Sequence, residues 1–271
     1  MTEKVAVMAL SGGMDSTGLL VHLLADGYEV YCLSYFYGQK HSLELERARA
    51  NVEYLQANEC PIREHKMVDL SQAMGVFASA LTDDEIEVPT GHYEQENMIA
   101  TVVPNRNAIF SSILYGYGLS LSVRLDCRVK VCLGVHSGDH AIYPDCRPEF
   151  YEAIHTAFSI GNWGSEHVDF YLPYLDGDKH TILQDSQRAI GILGLDFNLV
   201  FANTNTSYNP DEQGRASGVS GADVERILAF HQLGIPDPVE YVKSWEEVLA
   251  DALEMEAAFK ANSDSDGSEE E

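Results

Sequence analysis

The chain has 271 residues, 45% of them hydrophobic, and 43 acids against 17 Lys plus Arg give it a formal charge of −26. That length and apolar content make one large domain, or one domain with a small appendage. A field of that sign argues against non-specific binding to nucleic acid or to anionic membrane. Five of the acids lie in the last ten residues, and the body stays strongly negative without them. Two readings of the acidity stay open: a salt-adapted surface, or one that attracts a basic partner. No unbroken apolar run reaches about 18 residues, so no membrane span is expected. The N-terminal MTEKVAVMAL lacks a small-residue cleavage site and reads as a first strand, not a signal peptide. The five cysteines, Cys32, Cys60, Cys127, Cys132 and Cys146, fit neither a disulfide framework nor a zinc knuckle. They point to reduced thiols and a cytoplasmic location.

Residues 4–10 form a short apolar run that ends in Gly12-Gly13, and residues 15–26 then carry apolar side chains at helical spacing, with Gly27 as a stop. A second buried strand is predicted at 29–35, a charged amphipathic helix at 41–57, and a third strand within 63–70. Alternating strands and helices imply right-handed crossovers and an α/β fold with a doubly wound parallel sheet. Residues 81–102 are acidic and irregular and read as a surface loop. An apolar helix follows at 107–123, a buried strand at 129–135, and helices at 147–158 and 180–193. The stretch 203–221, rich in Asn, Ser, Thr and Gly, reads as ordered loop, and a helix resumes at 223–233. Residues 245–259 read as a last amphipathic helix, with Val248, Leu249, Ala252, Leu253, Met255 and Ala257 near one side. The chain thus divides into a domain at 1–241, a C-terminal helical extension at 242–261, and a tail at 262–271 too polar to pack and expected to be disordered.

Ser11-Gly12-Gly13-Met14-Asp15-Ser16 stands where the first strand turns into a helix. Two glycines let backbone N–H groups converge, the helix adds the positive end of its dipole, and the Ser11 and Ser16 hydroxyls are further donors. Such a loop holds an anion within a negative protein. It is neither a Walker loop, GxxxxGK[ST], nor a GxGxxG fingerprint.

SGGMDS at this place resembles the pyrophosphate (PP) loop of N-type ATP pyrophosphatases, of the adenine nucleotide alpha hydrolase-like fold. Within that group the chain is similar to the 7-cyano-7-deazaguanine synthase (QueC) family. The matching strings are Tyr37-Gly38-Gln39-Lys40-His41 with Glu44, Val103-Pro104-Asn105-Arg106-Asn107, Gly134-Val135-His136-Ser137-Gly138-Asp139 and Tyr143-Pro144-Asp145-Cys146-Arg147-Pro148-Glu149-Phe150. Lys179 with Ile182 and Ile235-Pro236-Asp237-Pro238 complete a likeness from about Val5 to Tyr241. The resemblance implies an ATP-dependent ligase that uses ATP and Mg2+. It would adenylate the carboxylate of 7-carboxy-7-deazaguanine, release pyrophosphate, and let ammonia displace AMP; a second ATP would dehydrate the amide to the nitrile. It also implies a homodimer.

Arg106, Arg147 and Lys179, each at a predicted loop-to-helix junction, are the candidate cations for that chemistry, with Asp15 facing magnesium or capping the helix. Asp139 and Asp145 either accept hydrogen bonds from a guanine-like base or cap turns. Tyr37, Gln39, His41, Asn107 and Tyr143 are assigned to the substrate mouth, His41 alternatively to a helix start.

The chain departs from the family at its four-cysteine zinc site, patterned S-C-Y, then A-C-G-x-C-x-x-C, then Arg. The corresponding residues are Thr206-Ser207-Tyr208, Ala216-Ser217-Gly218-Val219-Ser220-Gly221-Ala222-Asp223, and Arg226. Ser207, Ser217, Ser220 and Asp223 replace all four ligands, and hydroxyls are poor zinc ligands, so no structural zinc is expected. The serines would instead bond within the loop, and the extra C-terminal helix would pack over it or bind a partner. The same departure resembles synthase-like proteins of type IV CBASS anti-phage operons. There the nucleophile would be a protein amine and the implied partner a CBASS nucleotidyltransferase. A different PP-loop synthetase and a catalytically degenerate nucleotide-binding or scaffold protein are the remaining alternatives.

Overall fold

The apolar runs at the N-terminus become the middle of a five-stranded parallel sheet. In the computed structural model, which describes residues 4–40, 43–82, 85–87, 89–140, 142–207 and 210–266, the strands are β1 (Lys4–Ala9), β2 (Tyr28–Phe36), β3 (Ile62–Asp69), β4 (Val129–Cys132) and β5 (Val168–Tyr171). Their order is β3-β2-β1-β4-β5. In register, β1 pairs Val5 with Glu29 of β2 on one side and with Val129 of β4 on the other. β5 carries no sequence signal: its four residues, VDFY, are too short and too mixed to stand out from the preceding Ser-Glu-His.

The helices are α1 (Met14–Ala25), α2 (Leu43–Ala57), the single turn α3 (Ser71–Met74), α4 (Arg106–Leu125), α5 (Pro148–Gly161), α6 (Lys179–Leu193), α7 (Phe197–Ala202), α8 (Gly221–Leu233) and α9 (Trp245–Asp266). Successive strand residues point to opposite faces. Ala6, Met8 and Cys32 therefore pack against α1, α2 and α6, while Val5, Val7, Leu33 and Val131 pack against α4 and α5. Both faces are covered, which is why these strands read as unbroken apolar runs. The winding reverses between β1 and β4, and the crevice beyond their carboxyl ends is the place where such sheets bind ligands.

Besides β5, α3 and α7, which the sequence did not signal, three predicted segments differ from expectation. The described residues from 89 to 102 are not a surface loop: they end in a 3-10 turn at Glu96–Thr101, and His92, Met98 and Thr101 are buried. Thr90 bridges Ser220, and the Gly91 N–H donates to the Val219 carbonyl at 3.1 Å, so the segment is tied inward. α4 has 20 residues and a mean hydropathy of 1.2, long and apolar enough to cross a membrane by those measures alone. Counting unbroken apolar runs missed it because Ser and Gly interrupt the sequence without adding charge. Its Leu114, Tyr115 and Leu121 are buried in the cluster over β1 and β4, and a third of its apolar stretch is buried. α9 continues five residues past 261, to Asp266. Extending an existing helix adds one hydrogen bond per residue without a new nucleus, and Lys260 bridges Glu256 one turn back at 2.6 Å. Residues 267–271 of the expected disordered tail lie outside the described residues.

Candidate active site

The turn from β1 into α1 is shaped by glycine. Gly12 has φ +92°, and a Cβ there would lie 1.9 Å from the Glu44 carbonyl oxygen, so any side chain collides with the α2 backbone. Gly13 is the N-cap residue of α1. Ser16 Oγ accepts from the N–H groups of Ser11 (3.2 Å) and Gly12 (3.3 Å), donates to the Gly13 carbonyl and lies 2.9 Å from Ser11 Oγ. The two hydroxyls therefore set the curl of the loop. Met14 contributes backbone only, since its side chain is fully buried in the core. The Asn205 N–H donates to the Gly12 carbonyl at 3.0 Å and anchors the loop to the stretch after α7.

Beside the loop stands a buried charge cluster. Lys179 opens α6 behind the N-cap Asp178, whose carboxylate accepts from the Thr181 N–H at 2.7 Å. Its ammonium, only 5% exposed, meets Asp15 Oδ2 at 3.0 Å, Glu225 Oε2 at 3.0 Å and His136 Nε2 at 2.9 Å. Burial opposes ionisation of Asp15, but the Lys179 charge and the His136 hydrogen bond outweigh it and hold the carboxyl well below the usual range. Asp15 Oδ1 is buried without a hydrogen-bond partner.

The opposite wall is built from α2, the segment after β2, and the start of α4. Asn105, in the left-handed region at φ 58°, turns the chain so that Arg106 opens α4. The Arg106 guanidinium sits 5.8 Å from the Tyr143 ring centroid and hydrogen-bonds Tyr37. Burial pushes the Glu44 carboxyl up to about 7, with Arg106 opposing part of that rise. Gln39 bonds its own neighbourhood, accepting from the Tyr37 N–H at 2.9 Å and donating to the Tyr35 carbonyl. The Tyr143 hydroxyl lies 2.6 Å from Thr101 Oγ1. Loop, cluster and wall enclose a cleft of about 250 Å³.

The cleft brings together Ser11, Gly13, Asp15, Ser16, Tyr37, Gln39, Arg106, Asn107, Tyr143 and Lys179. Arg147 is not among the lining residues. It is exposed, forms the N-cap of α5, and its Nε donates to the His140 carbonyl at 2.8 Å. Asp145 also stays off the lining: its Oδ2 accepts from the Asn107 N–H at 3.2 Å, the turn-capping alternative. His41 and the side chain of Asp139 lie outside the described residues. The sequence reading did not single out Glu225, His136, Glu44, Tyr93, Met98, Thr101 or Asn205 as site residues. His136 and Glu44 fall inside the quoted strings and were findable there. Glu225 stands on one turn of α8 with no local signal, and Tyr93 and Met98 were hidden by reading their segment as surface.

The four replaced zinc positions form one hydrogen-bond cluster centred on Asp223 Oδ2, while Asp223 Oδ1 is buried without a partner. Asp223 Oδ2 accepts from Ser217 Oγ (2.7 Å), Ser207 Oγ (3.0 Å), the Gly218 N–H (3.1 Å) and the Ser220 N–H (3.3 Å). Ser220 Oγ in turn caps α8 by accepting from the Asp223 N–H. These donors surround an anion, whereas a zinc site surrounds a cation with anionic ligands. The residues present do not fit the metal, and among the described residues no group of three or more His, Cys, Asp or Glu is arranged to hold one. One turn further on, Arg226 forks onto the buried Asp237 at 2.5 and 2.8 Å and donates to Thr204 and Thr206. That network fixes the stretch 204–206, of which Asn205 and Thr206 line the cleft, from behind.

Residues 5–234 match the family described as queuosine biosynthesis protein QueC. The chain is 43% identical over 241 residues to the 7-cyano-7-deazaguanine synthase of Marinomonas sp. (strain MWYL1), covering 89% of this chain and 99% of that protein. It is 42% identical over 237 residues to the synthase of Caldicellulosiruptor saccharolyticus (strain ATCC 43494 / DSM 8903 / Tp8T 6331), covering 87% of this chain and 95% of the relative. Among solved structures, that of NMN synthetase from Francisella tularensis aligns over 91% of this chain and 82% of the other at 13% identity and a TM-score of 0.38, too low a score to argue from.

Proposed function

The chain belongs to the QueC family of queuosine biosynthesis proteins, and from that membership we propose an ATP-dependent C–N ligase acting on 7-carboxy-7-deazaguanine with ammonia. In the first step a carboxylate oxygen of the substrate attacks the α-phosphorus of ATP, the bond to the bridging oxygen breaks, and pyrophosphate leaves. Ammonia then attacks the acyl carbon, AMP departs, and an amide remains, which a second ATP activates for loss of water to the nitrile. The observation that carries this reading is the meeting of the Ser11–Ser16 loop, Lys179 with Asp15, and Arg106 around one cleft.

Each part has a task. The glycine loop and the first turn of α1 present N–H groups to pyrophosphate. Lys179, held by two carboxylates and an imidazole, offers its charge beside that loop, and Arg106 faces it from α4. Tyr37, Tyr143 and Phe110 supply aromatic surface for a flat base. Mg2+ fits this donor set: it is held through phosphate oxygens plus one or two carboxylates, and the unpartnered Asp15 Oδ1 is such an oxygen. When bound, it would neutralise phosphate charge.

The nearest competing reading keeps the first step and replaces ammonia by an amine of a protein, the CBASS nucleotidyltransferase being the implied partner. The substituted zinc positions and the added helix favour it, but that helix is engaged in packing: Val248 lies where a Gly218 Cβ would meet it at 2.8 Å. Carboxylate-dependent ATP–pyrophosphate exchange tests the shared step, and its absence with every deazaguanine carboxylate leaves a degenerate nucleotide-binding protein. Mass spectrometry of a reaction with ammonia separates the rest, since a nitrile product supports the synthase and a mass increase on an added protein supports conjugation. A homodimer belongs to the same proposal, and sedimentation equilibrium measures it.

A further inference from the structure

The family match ends at residue 234, and 241 residues of this chain account for 99% of the Marinomonas relative, so α9 has no counterpart in that match. It reaches the cleft through a stack of rings. His92, only 2% exposed, lies between Phe259 of α9 (centroids 4.0 Å apart, planes at 8°) and Tyr93 (4.2 Å, 29°). His92 Nδ1 accepts from the Glu94 N–H at 3.3 Å, so its Nε2–H is the donor to Glu256 Oε2 of α9 at 2.6 Å. The next ring in line, Tyr93, lines the cleft beside Glu225, and Met98 lines it one turn further on. Both press on α8 so closely that a Cβ on Gly221 would lie 3.0 Å from Tyr93 Cα and 3.1 Å from Met98 Sδ. The segment is then pinned at its far end, where Thr101 Oγ1 meets the Tyr143 hydroxyl under Arg106.

We propose that Glu256 and Phe259 are positioning residues: they seat His92 and thereby hold residues 92–101 as the wall of the cleft. The wall has irregular backbone up to Gln95 and a 3-10 turn at Glu96–Thr101, and it is tied to its surroundings by the Ala80 N–H on the Ala100 carbonyl at 2.8 Å. Two side chains of α9 add to that hold at His92, and the other anchor of α9 is the cluster of Val248 and Ala252 with Ala216 and Tyr241. α9 thus spans the serine loop and the cleft wall. It braces at one stroke the serine loop and the segment that lines the cleft. The catalytic consequence rests on the ligase reading above; the mechanical one does not.

The test is hydrogen exchange at residues 92–101 together with steady-state kinetics on the full chain. In Phe259→Ala, amide exchange in that segment is expected to quicken about tenfold, the scale of one lost ring stack. KM for 7-carboxy-7-deazaguanine is expected to rise about five- to tenfold, with kcat within about twofold. Phe259→Tyr restores both values, and Glu256→Gln, which keeps the acceptor oxygen, stays near wild type while Glu256→Ala follows Phe259→Ala. Glu256→Ala is also the variant to read if Phe259→Ala fails to fold. Wild-type exchange and KM in both alanine variants would overturn the proposal. So would a fall in kcat at unchanged KM that tracks lost melting temperature, the mark of a merely structural role. A wild-type protein inactive with this carboxylate would refute the ligase reading, and the exchange data alone would then decide whether α9 holds the wall.

Discussion

Asp223→Ala is the sharpest test of how the chain closes the loop where the family places zinc. The carboxylate is 1% exposed, and its Oδ2 takes four hydrogen bonds, two from hydroxyls and two from backbone N–H groups. The Ser207 and Ser217 hydroxyls can rotate to other acceptors, whereas the Gly218 and Ser220 N–H groups cannot. Two buried unsatisfied N–H groups cost about 1–3 kcal/mol each. Against this stands relief from burying a charge, which already pushes the Asp223 carboxyl above the usual carboxylate range despite its serine partners. The net expectation is a loss of about 2–4 kcal/mol, with Asp223→Asn, which keeps one acceptor, losing about half as much. Urea unfolding followed by circular dichroism at fixed pH measures both, with metal content determined on the same samples. A loss below about 0.5 kcal/mol, or one zinc per chain in the wild type, would refute the reasoning. Replacing Ser207, Ser217, Ser220 and Asp223 together by cysteine is expected to create zinc binding that the wild type lacks.

Lys179→Met leaves Asp15, Glu225 and His136 without their shared ammonium and should slow ATP–pyrophosphate exchange at least about 100-fold. Arg106→Ala should cost a similar factor in kcat/KM, whereas Arg147→Ala, on an exposed side chain bonded to a carbonyl, should change it less than about threefold. Equal losses would show that Arg147 reaches the reaction. Glu44 should make stability depend on pH. In the unfolded chain it ionises near 4.5 and in the fold near about 7, so the native state holds an extra proton between those values. Stability from this group is full below pH 4.5 and declines as pH rises to 7, by about 3 kcal/mol. Glu44→Gln should lack that decline, and urea titrations at a series of pH values compare the two.

Much of the candidate site's geometry was legible because the turn from β1 into α1 is local. A glycine pair between an apolar strand and a helix fixes N–H groups within six residues, and Gly12 shows why no other residue fits. Arg106 and Lys179 each stand at the first position of a helix and line the cleft. Arg147 stands at a similar junction, one place earlier as the N-cap of α5, and misses the cleft, because α5 starts behind a short turn at Pro144–Cys146 and the side chain is exposed. Local signals cannot tell these cases apart.

The sequence by itself determined the two-sided burial of β1 and β2, the glycine turn from β1 into α1, and the absence of thiols at Ser207, Ser217, Ser220 and Asp223, because each depends on residue type or short-range period. It also bounded what so acidic a surface attracts. Tertiary structure alone decided that Glu225 pairs with Lys179, that Asp223 gathers the donors left around it, and that α9 reaches His92. The hydrogen bonds among those pairings join residues between 3 and 164 positions apart. Most depend on how helices cross the sheet, and no short-range pattern encodes that.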